Sequence, residues 1–195
     1  MKFAHFADVH IGSWRDPRLA MVSTEAFVRA IDVCYEKNVD FILISGDFFN
    51  TSLPSIDSLK ASVSKLKEIK DRGILVYIIA GSHDFSPTGK TMLGVLESAG
   101  LVINVMQGDV IDNRLQLKFT TDKKTGAKIT GIIGKKGMLE RKYFENLMKE
   151  NLENEEGFKI FMFHTAISEF KPEGLEKMEV NILRGILSAA QKNKS

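Results

Sequence analysis

Four short apolar runs, each followed within four residues by aspartate or histidine, restrict what this chain can fold into. The runs and the polar residues that follow them are Phe3–Ala7 with Asp8 and His10, Phe41–Ile44 with Asp47, Val76–Ile79 with His83 and Asp84, and Phe161–Phe163 with His164. Continuous apolar runs of this length, bounded by turn residues, are typical of buried β-strands. Segments with helical spacing separate them, so the sequence predicts an α/β fold with at least partly parallel strands.

The polar residues at the run ends are expected to meet in space. Functional crevices of open sheets lie just beyond the carboxyl ends of the strands. Three of the four histidines and three aspartates would therefore point at one region. Aspartate and histidine without cysteine form the donor set of manganese, magnesium, iron or zinc. The sequence thus predicts a divalent-metal site at this edge.

The spacing of these residues suggests how such a site is built. Asp8 and His10 are two residues apart, and in an extended segment such residues face the same side, so both can bind one ion. Asp47 can bridge to a second ion through its other carboxylate oxygen, and His164 offers that ion an imidazole. Two ions about 3.5–4 Å apart suit in-line attack on phosphorus. His83, oriented by the carboxylate of Asp84, is expected to protonate the leaving oxygen.

Composition agrees with one cytoplasmic globular domain. The chain has 195 residues, 44% of them hydrophobic, and no apolar run long enough for a membrane span. The amino terminus does not resemble a signal peptide. The single cysteine, Cys34, is expected to be a buried helical residue in a reducing compartment. The net charge of +2 neither demands nor excludes nucleic acid.

Helical spacing and turn residues place further elements along the chain. A first helix with apolar face Phe27, Ile31 and Cys34 is expected to begin at Ser23 or Thr24. A second helix is expected to begin at Ser55 and end at Gly73. In the later part of the chain, the sequence predicts a hairpin over residues 115–133, a charged helix over 138–152 and a terminal apolar helix over 182–190.

The four clusters, in this order, closely resemble the motifs of the calcineurin-like metallophosphoesterase superfamily. Within it, the chain is similar to archaeal double-strand-break repair nuclease subunits (SbcD-like). This closer resemblance rests on the segments Asp8–Gly12, Ile44–Asn50, Val76–Asp84, Met162–Thr165 and Phe170–Pro172. Each motif alone is a weak signal, but four in order at strand ends are specific. The resemblance implies a layered sandwich of helices packed on β-sheets.

The resemblance also implies an activity, namely manganese-dependent exonuclease and endonuclease cleavage of DNA. Asp8 and His10 would bind the first of two manganese ions, or other divalent ions, Asp47 would bridge, and His164 would bind the second. His83 would be catalytic, positioned by Asp84. The implied partners are DNA ends, an SMC-like ATPase subunit and a second copy of the chain, which pairs through helices near the first and second clusters.

Two departures from the family pattern affect this interpretation. Ser82 stands where the family usually has asparagine, so it is expected to be a weak ligand of the second ion. No histidine follows His164, so the family's late Gly-His-x-His segment has no counterpart. Residues 1–195 are therefore interpreted as one nuclease domain, incomplete at its carboxyl end, without a capping domain and with a weaker second metal site.

Alternatives stay open at this point. Trp14, Arg15 and Arg18 lie beside the first cluster and could contact DNA; equally, the tryptophan could pack over the core edge with solvated arginines. His5 is expected to be a packed, hydrogen-bonded residue and not a ligand. The clusters also fit a small-molecule phosphoesterase, and the missing histidines fit a non-catalytic module for dimerisation or ATPase docking.

Overall fold

The computed structural model describes residues 1–86 and 89–166, except for the side chains of Pro17 and Met138. The chain divides into two compact units, Met1–Asn104 and Val105–Ser195. The Phe170–Pro172 motif and the helix expected over 182–190 lie outside the described residues. No helix within those residues combines the length and the apolar character that a bilayer span requires.

The first unit is a parallel sheet with helices between its strands. Its elements are β1 (Phe3–Phe6), α1 (Pro17–Glu36), β2 (Phe41–Ser45), α2 (Ile56–Asp71), β3 (Leu75–Ile79), α3 (Met92–Ser98) and β4 (Ile103–Asn104). The strand order is β1-β2-β3-β4, and every neighbouring pair is parallel. The α/β architecture with parallel strands is thus confirmed, and the ends of β1, β2 and β3, which precede the first three polar clusters, share one edge of the sheet.

Burial in the core of this unit explains the continuous apolar runs of β2 and β3, whereas β1 is exposed or half-buried along its length. All five residues of β2 are buried, as are the last four of β3. One face of the sheet packs against side chains from α1, α2 and α3: Phe27, Ile31, Cys34, Leu66, Ile69 and Leu96. Fully burying one such side chain contributes about 1.5–3 kcal/mol. This packing holds the strand ends, and the loops that follow them, in fixed positions.

Helix α1 begins earlier than the expected start at Ser23 or Thr24. Asp16 caps it by accepting a hydrogen bond from the backbone N–H of Arg18, and Pro17 occupies the first turn. An N-cap aspartate followed by proline is a strong start signal because proline lacks the N–H that the first turn leaves unpaired. Ser23 lies inside the helix, and its hydroxyl accepts the backbone N–H of Gly12 instead.

Helix α2 follows its sequence prediction closely. Ser55 caps it by accepting the N–H of Ser58, and Gly73, with φ 79°, follows the C-cap. Ile56, the first residue of this helix, is apolar but lies outside the core, because it is 82% exposed. Lys65 is instead buried on this helix, where it pairs with Asp32 of α1 and with Glu68.

The second unit holds two small sheets. Its elements are β5 (Gln107–Ile111), β6 (Arg114–Lys118), β7 (Thr120–Thr121), β8 (Lys128–Ile132), a 3₁₀ turn (Lys136–Met138), α4 (Arg141–Glu145), α5 (Glu150–Asn154) and β9 (Lys159–Phe163). Strands β5 and β6 pair antiparallel, whereas β7, β8 and β9 form a sheet in that order. Within it, β8 is antiparallel to β7 and parallel to β9.

The expected hairpin over residues 115–133 is only partly correct. Strands β7 and β8 do pair, but over two residues of β7. The longer hairpin joins β5 to β6 through Asp112 and Asn113, which have φ of 49° and 60°. Two consecutive positive φ values define the tight turn that matches the twist of paired strands, and Asp and Asn tolerate them.

The prediction of a single charged helix over residues 138–152 is wrong. The segment forms two short helices, α4 and α5, separated at Asn146–Lys149. In the gap the backbone pairs with β6: the carbonyl of Asn146 accepts the N–H of Leu115, and the N–H of Met148 donates to the carbonyl of Leu115. This long-range pairing interrupts a pattern that is locally helical.

Candidate metal centre

Three predicted ligands lie on strained backbone in the first unit. Asp8, His10 and Asp47 have φ of 53°, 48° and 51°. Residues other than glycine adopt this left-handed region rarely, and such residues cluster at functional sites. Strand β1 ends at Phe6, so Asp8 and His10 are not in the extended segment that the sequence predicted. Their side chains converge through left-handed turns and not through strand alternation.

Backbone hydrogen bonds between the two loops hold this conformation. The N–H of Asp8 donates to the carbonyl of Gly46, and the N–H of His10 donates to the carbonyl of Asp47, at 3.3 and 2.9 Å. The N–H of Ile11 continues the series with the carbonyl of Phe48 at 3.0 Å. The loop after β1 is therefore fixed against the loop after β2, and the surrounding structure offsets the strain.

The ring of His10 lies close to a carboxylate oxygen of each aspartate. The Nε2 of His10 lies 3.8 Å from Asp8 Oδ1 and 3.6 Å from Asp47 Oδ2. Both distances are too long for hydrogen bonds. Ligand atoms about 2.0–2.2 Å from one tetrahedral ion are about 3.3–3.6 Å apart, close to the observed spacing. The residues present therefore fit a divalent ion.

Burial supports the same conclusion. Asp47 is 4% exposed, and a buried carboxylate is costly unless it is paired or binds a metal. Within residues 1–86 and 89–166, the buried Nδ1 of His10 has no hydrogen-bond partner. Because Nε2, and not Nδ1, faces the two carboxylates, this atom does not mark the ion itself; buried polar groups without partners are rare and are commonly satisfied by ordered water.

His83 joins this cluster from the turn after β3. Its ring meets the ring of His10 edge-on, with centroids 4.8 Å apart. Its backbone N–H donates to Asp47 Oδ1 at 2.8 Å. The other oxygen of that carboxylate, Oδ2, lies on the side of His10, 3.6 Å from its Nε2. His10, Asp47 and His83 each offer one potential ligand atom, and these three atoms lie within 4.8 Å of one another.

The carbonyl oxygen of Asn50 orients the His83 ring. It lies 2.7 Å from Nδ1, and a carbonyl can only accept, so Nδ1 carries the hydrogen. Nε2 is then the nitrogen that can take up or release a proton. The sequence prediction that the Asp84 carboxylate orients this ring is corrected here, because a backbone oxygen occupies that role.

Asp84 instead ties two loops together. Its carboxylate is 1% exposed and accepts hydrogen bonds from the N–H groups of Phe48, Phe49 and Gly81 at 2.9–3.0 Å. Burial raises the pKa of this carboxyl, the three backbone hydrogen bonds oppose the rise, and the charge of Asp47 adds to it. Asp84 therefore fixes the loop after β2 against the turn that carries His83.

Gly81, within the Val76–Asp84 motif, has a role that the sequence did not predict. A Cβ at this position would lie 2.1 Å from Asp47 Oδ1 and 2.2 Å from its backbone nitrogen. Only glycine lets the turn approach the carboxylate so closely. Ser82 follows in the same turn and is half-buried, next to His83.

The other candidate residues differ in exposure. Trp14 is 67% exposed at φ 79°, so it does not pack over the core edge. Arg15 and Arg18 are exposed as well. His5 is hydrogen-bonded, as expected, to the hydroxyl of Ser45 at 2.8 Å, but it is exposed and not packed. His164 lies in the second unit as the first residue after β9 and is half-buried.

Comparison with known proteins identifies the family. The model of the calcineurin-like phosphoesterases matches residues 1–187. The chain belongs to this family. A solved crystal structure aligns with 97% of the chain and 80% of its own length at a TM-score of 0.57 and 13% identity. This likeness concerns the fold alone.

Similar sequences include archaeal proteins named DNA double-strand break repair protein Mre11. The one from Archaeoglobus fulgidus is 38% identical over 54% of this chain and 24% of its own length. The one from Methanococcus maripaludis is 27% identical over 90% of this chain and 46% of its own length. The chain thus spans less than half the length of these relatives.

Proposed function

We propose that this phosphoesterase-family chain is a metal-dependent DNA phosphodiesterase that acts in double-strand-break repair. The observation that carries the proposal is the convergence of Asp8, His10 and Asp47 on strained backbone, with His83 beside them. The names of the archaeal relatives support DNA as the substrate. Both exonuclease and endonuclease activity are part of the proposal.

The proposal gives each ligand a role. Asp8 and His10 would hold the first of two manganese ions, and Asp47 would be shared by both. His164 and, more weakly, Ser82 would hold the second ion. The support for His164 is its place directly after β9 and the order of the motifs along the chain; the support for manganese is the donor set, which other divalent ions share.

The side chains then divide the chemistry of phosphodiester cleavage. When bound, divalent ions supply charge neutralisation at the phosphoryl oxygens and lower the pKa of an attacking water. In its protonated form, with a hydrogen on both ring nitrogens, His83 would donate the Nε2 proton to the leaving oxygen and return to the neutral form, in which Nδ1 keeps the hydrogen that Asn50 accepts. Asp84 keeps the His83 turn in place through the three backbone N–H groups.

We further propose that Trp14, Arg15 and Arg18 contact the DNA. The tryptophan is exposed, in a left-handed conformation, and follows the Ser13 turn that hydrogen-bonds to the His10 carbonyl. An exposed aromatic ring can stack on an unpaired base, and arginines can neutralise phosphates. Together they would guide a DNA end towards the ligands.

The assembly belongs to the proposal as well. Residues 1–195 would act as one nuclease domain, since the family match runs through both units. A homodimer would bury the exposed apolar residues Leu19, Met21, Val22, Leu53 and Ile56 on and near α1 and α2, and an SMC-like ATPase would bind as a second partner. The free, buried thiol of Cys34 agrees with a reducing cytoplasm.

Cleavage of DNA with end labels tests the function. We expect degradation in manganese, none in excess chelator, and none for Asp47→Ala. Asp71→Ala is the matched control, because it removes an exposed aspartate that only pairs with Lys67 on α2, and it should cleave as the wild type does.

Other outcomes would favour the alternatives. Turnover of a chromogenic bis-phosphodiester without any DNA cleavage would point to a small-molecule phosphoesterase. Absence of manganese binding, together with a dimer by light scattering, would point to a non-catalytic module. Either result would overturn the nuclease assignment.

A further inference from the structure

In the second unit, Gly134 of a neighbouring loop packs closely against His164, the residue expected to bind the second ion. Strands β8 and β9 are parallel neighbours, so the loops that follow them lie side by side. Gly134, after β8, is buried, and a Cβ there would lie 2.5 Å from Cδ2 of His164 and 2.6 Å from its carbonyl oxygen. The loop after β8 therefore limits both the ring and the backbone of His164.

A buried carboxylate ties the same two loops together. Glu140 is 3% exposed; its Oε2 accepts the backbone N–H of Lys135 at 3.2 Å, and its Oε1 accepts the hydroxyl of Thr165 at 2.8 Å. Glu140 is also the N-cap residue of α4, yet its side chain makes no cap hydrogen bond there. The carboxylate is directed away from its own helix and joins the loop after β8 to the residue that follows His164.

We propose that Glu140 is a positioning residue for His164. Its two hydrogen bonds, with Gly134 packed against the ring, hold the imidazole in one orientation before any ion binds. The inference rests on the proposed function, in which His164 binds the second manganese ion. Partners that orient a metal ligand without touching the metal typically alter its affinity by about 10–100-fold when removed.

Two variants remove one or both of these hydrogen bonds. Thr165→Val removes the hydroxyl with almost no change in shape, and Glu140→Ala removes both hydrogen bonds. Glu140→Gln should rescue, because its amide can accept from Lys135 and donate to the hydroxyl of Thr165. Tyr143→Phe is the control: it removes the hydroxyl that accepts from Lys135 Nζ in the same loop and leaves the Glu140 bonds intact.

Manganese titration by calorimetry gives the main readout. We expect Thr165→Val and Glu140→Ala to weaken the second site by about 10–100-fold and to leave the first site unchanged. Glu140→Gln and Tyr143→Phe should bind as the wild type does. Without metal, the imidazole ¹⁵N resonances of His164 should shift in the two weakened variants only. If Glu140→Ala does not fold, as thermal melting would reveal, Thr165→Val carries the test.

A His164→Ala variant distinguishes failure of the proposed ligand role of His164 from failure of the positioning role of Glu140. If it retains both manganese sites, His164 is not a ligand, and the proposed function fails at that residue together with this inference. If it loses the second site while Glu140→Ala and Thr165→Val bind both ions normally, the ligand role stands and the positioning role of Glu140 is overturned.

Discussion

Adding one methyl group at Gly81 should damage the metal centre more than its size suggests. The new Cβ would lie 2.1 Å from Asp47 Oδ1, whereas ordinary contact begins at 3.4 Å. The carboxylate or the turn must therefore move by about 1 Å, since a close-packed interior offers no free space. Such a shift breaks the 2.8 Å hydrogen bond from His83 to Asp47 and displaces the Asp47 carboxylate from His10.

The expected losses follow from the overlap. Overpacking of a buried site costs about 1–3 kcal/mol, which for a chain of this size lowers Tm by about 2–12 °C. A misplacement of about 1 Å at a reacting centre can reduce the rate by about 100-fold. We expect Gly81→Ala to show both effects, together with weakened manganese binding.

Calorimetric manganese titration, thermal melting and DNA cleavage measure these three quantities. Gly94→Ala is the matched control, because its Cβ would meet only Thr91 Oγ1 at 3.6 Å on the exposed side of α3. It should melt at or slightly above the wild-type temperature, since alanine favours helix over glycine. Wild-type manganese affinity and Tm in Gly81→Ala would refute the close approach of this turn to Asp47.

Three further changes test other parts of the structure. Burial raises the pKa of the Asp84 carboxyl. A carboxyl whose pKa is raised in the folded state stabilises the fold fully at pH values below its unfolded-state pKa, and this stabilisation is lost as the pH rises through its folded-state pKa. The free energy of unfolding of the wild type relative to Asp84→Asn should therefore fall between acidic and neutral pH in urea titrations; a flat difference would contradict this. Asp16→Ala should lower the free energy of unfolding by about 0.5–2 kcal/mol, because it removes the cap of α1. Thr24→Ala should change the free energy of unfolding by less than about 0.5 kcal/mol. Equal effects would argue against a helix that starts at Pro17. His83→Gln should abolish DNA cleavage while calorimetry still detects two manganese ions, and loss of an ion would make His83 a ligand instead of the acid.

The sequence was sufficient where local signals and core packing agree. Ser55 and Gly73 mark the ends of α2, and the apolar runs at Phe41 and Val76 mark two buried strands, because cap chemistry and burial leave direct traces in residue type. The strand-end location of Asp8 and Asp47 follows from the same reasoning.

The remaining features depend on contacts between distant residues. The break at Asn146–Lys149 results from pairing with Leu115, about thirty positions earlier along the chain, which no local pattern reveals. The left-handed backbone of His10 is likewise imposed by hydrogen bonds from the neighbouring loop. The roles of Asn50 and Glu140 were missed for the same reason; the only sequence sign for Asn50 is its place in the segment that follows Asp47.

The left-handed conformation of Asp8, His10 and Asp47 has a consequence for directed evolution of this protein. Each such residue costs of order 1–3 kcal/mol relative to a relaxed backbone, and glycine would remove that cost. Libraries selected only for heat resistance will therefore enrich glycine at these three positions and discard the side chains proposed to bind the ions. Selection in the presence of a chelator should accelerate that outcome, whereas a cleavage screen should oppose it.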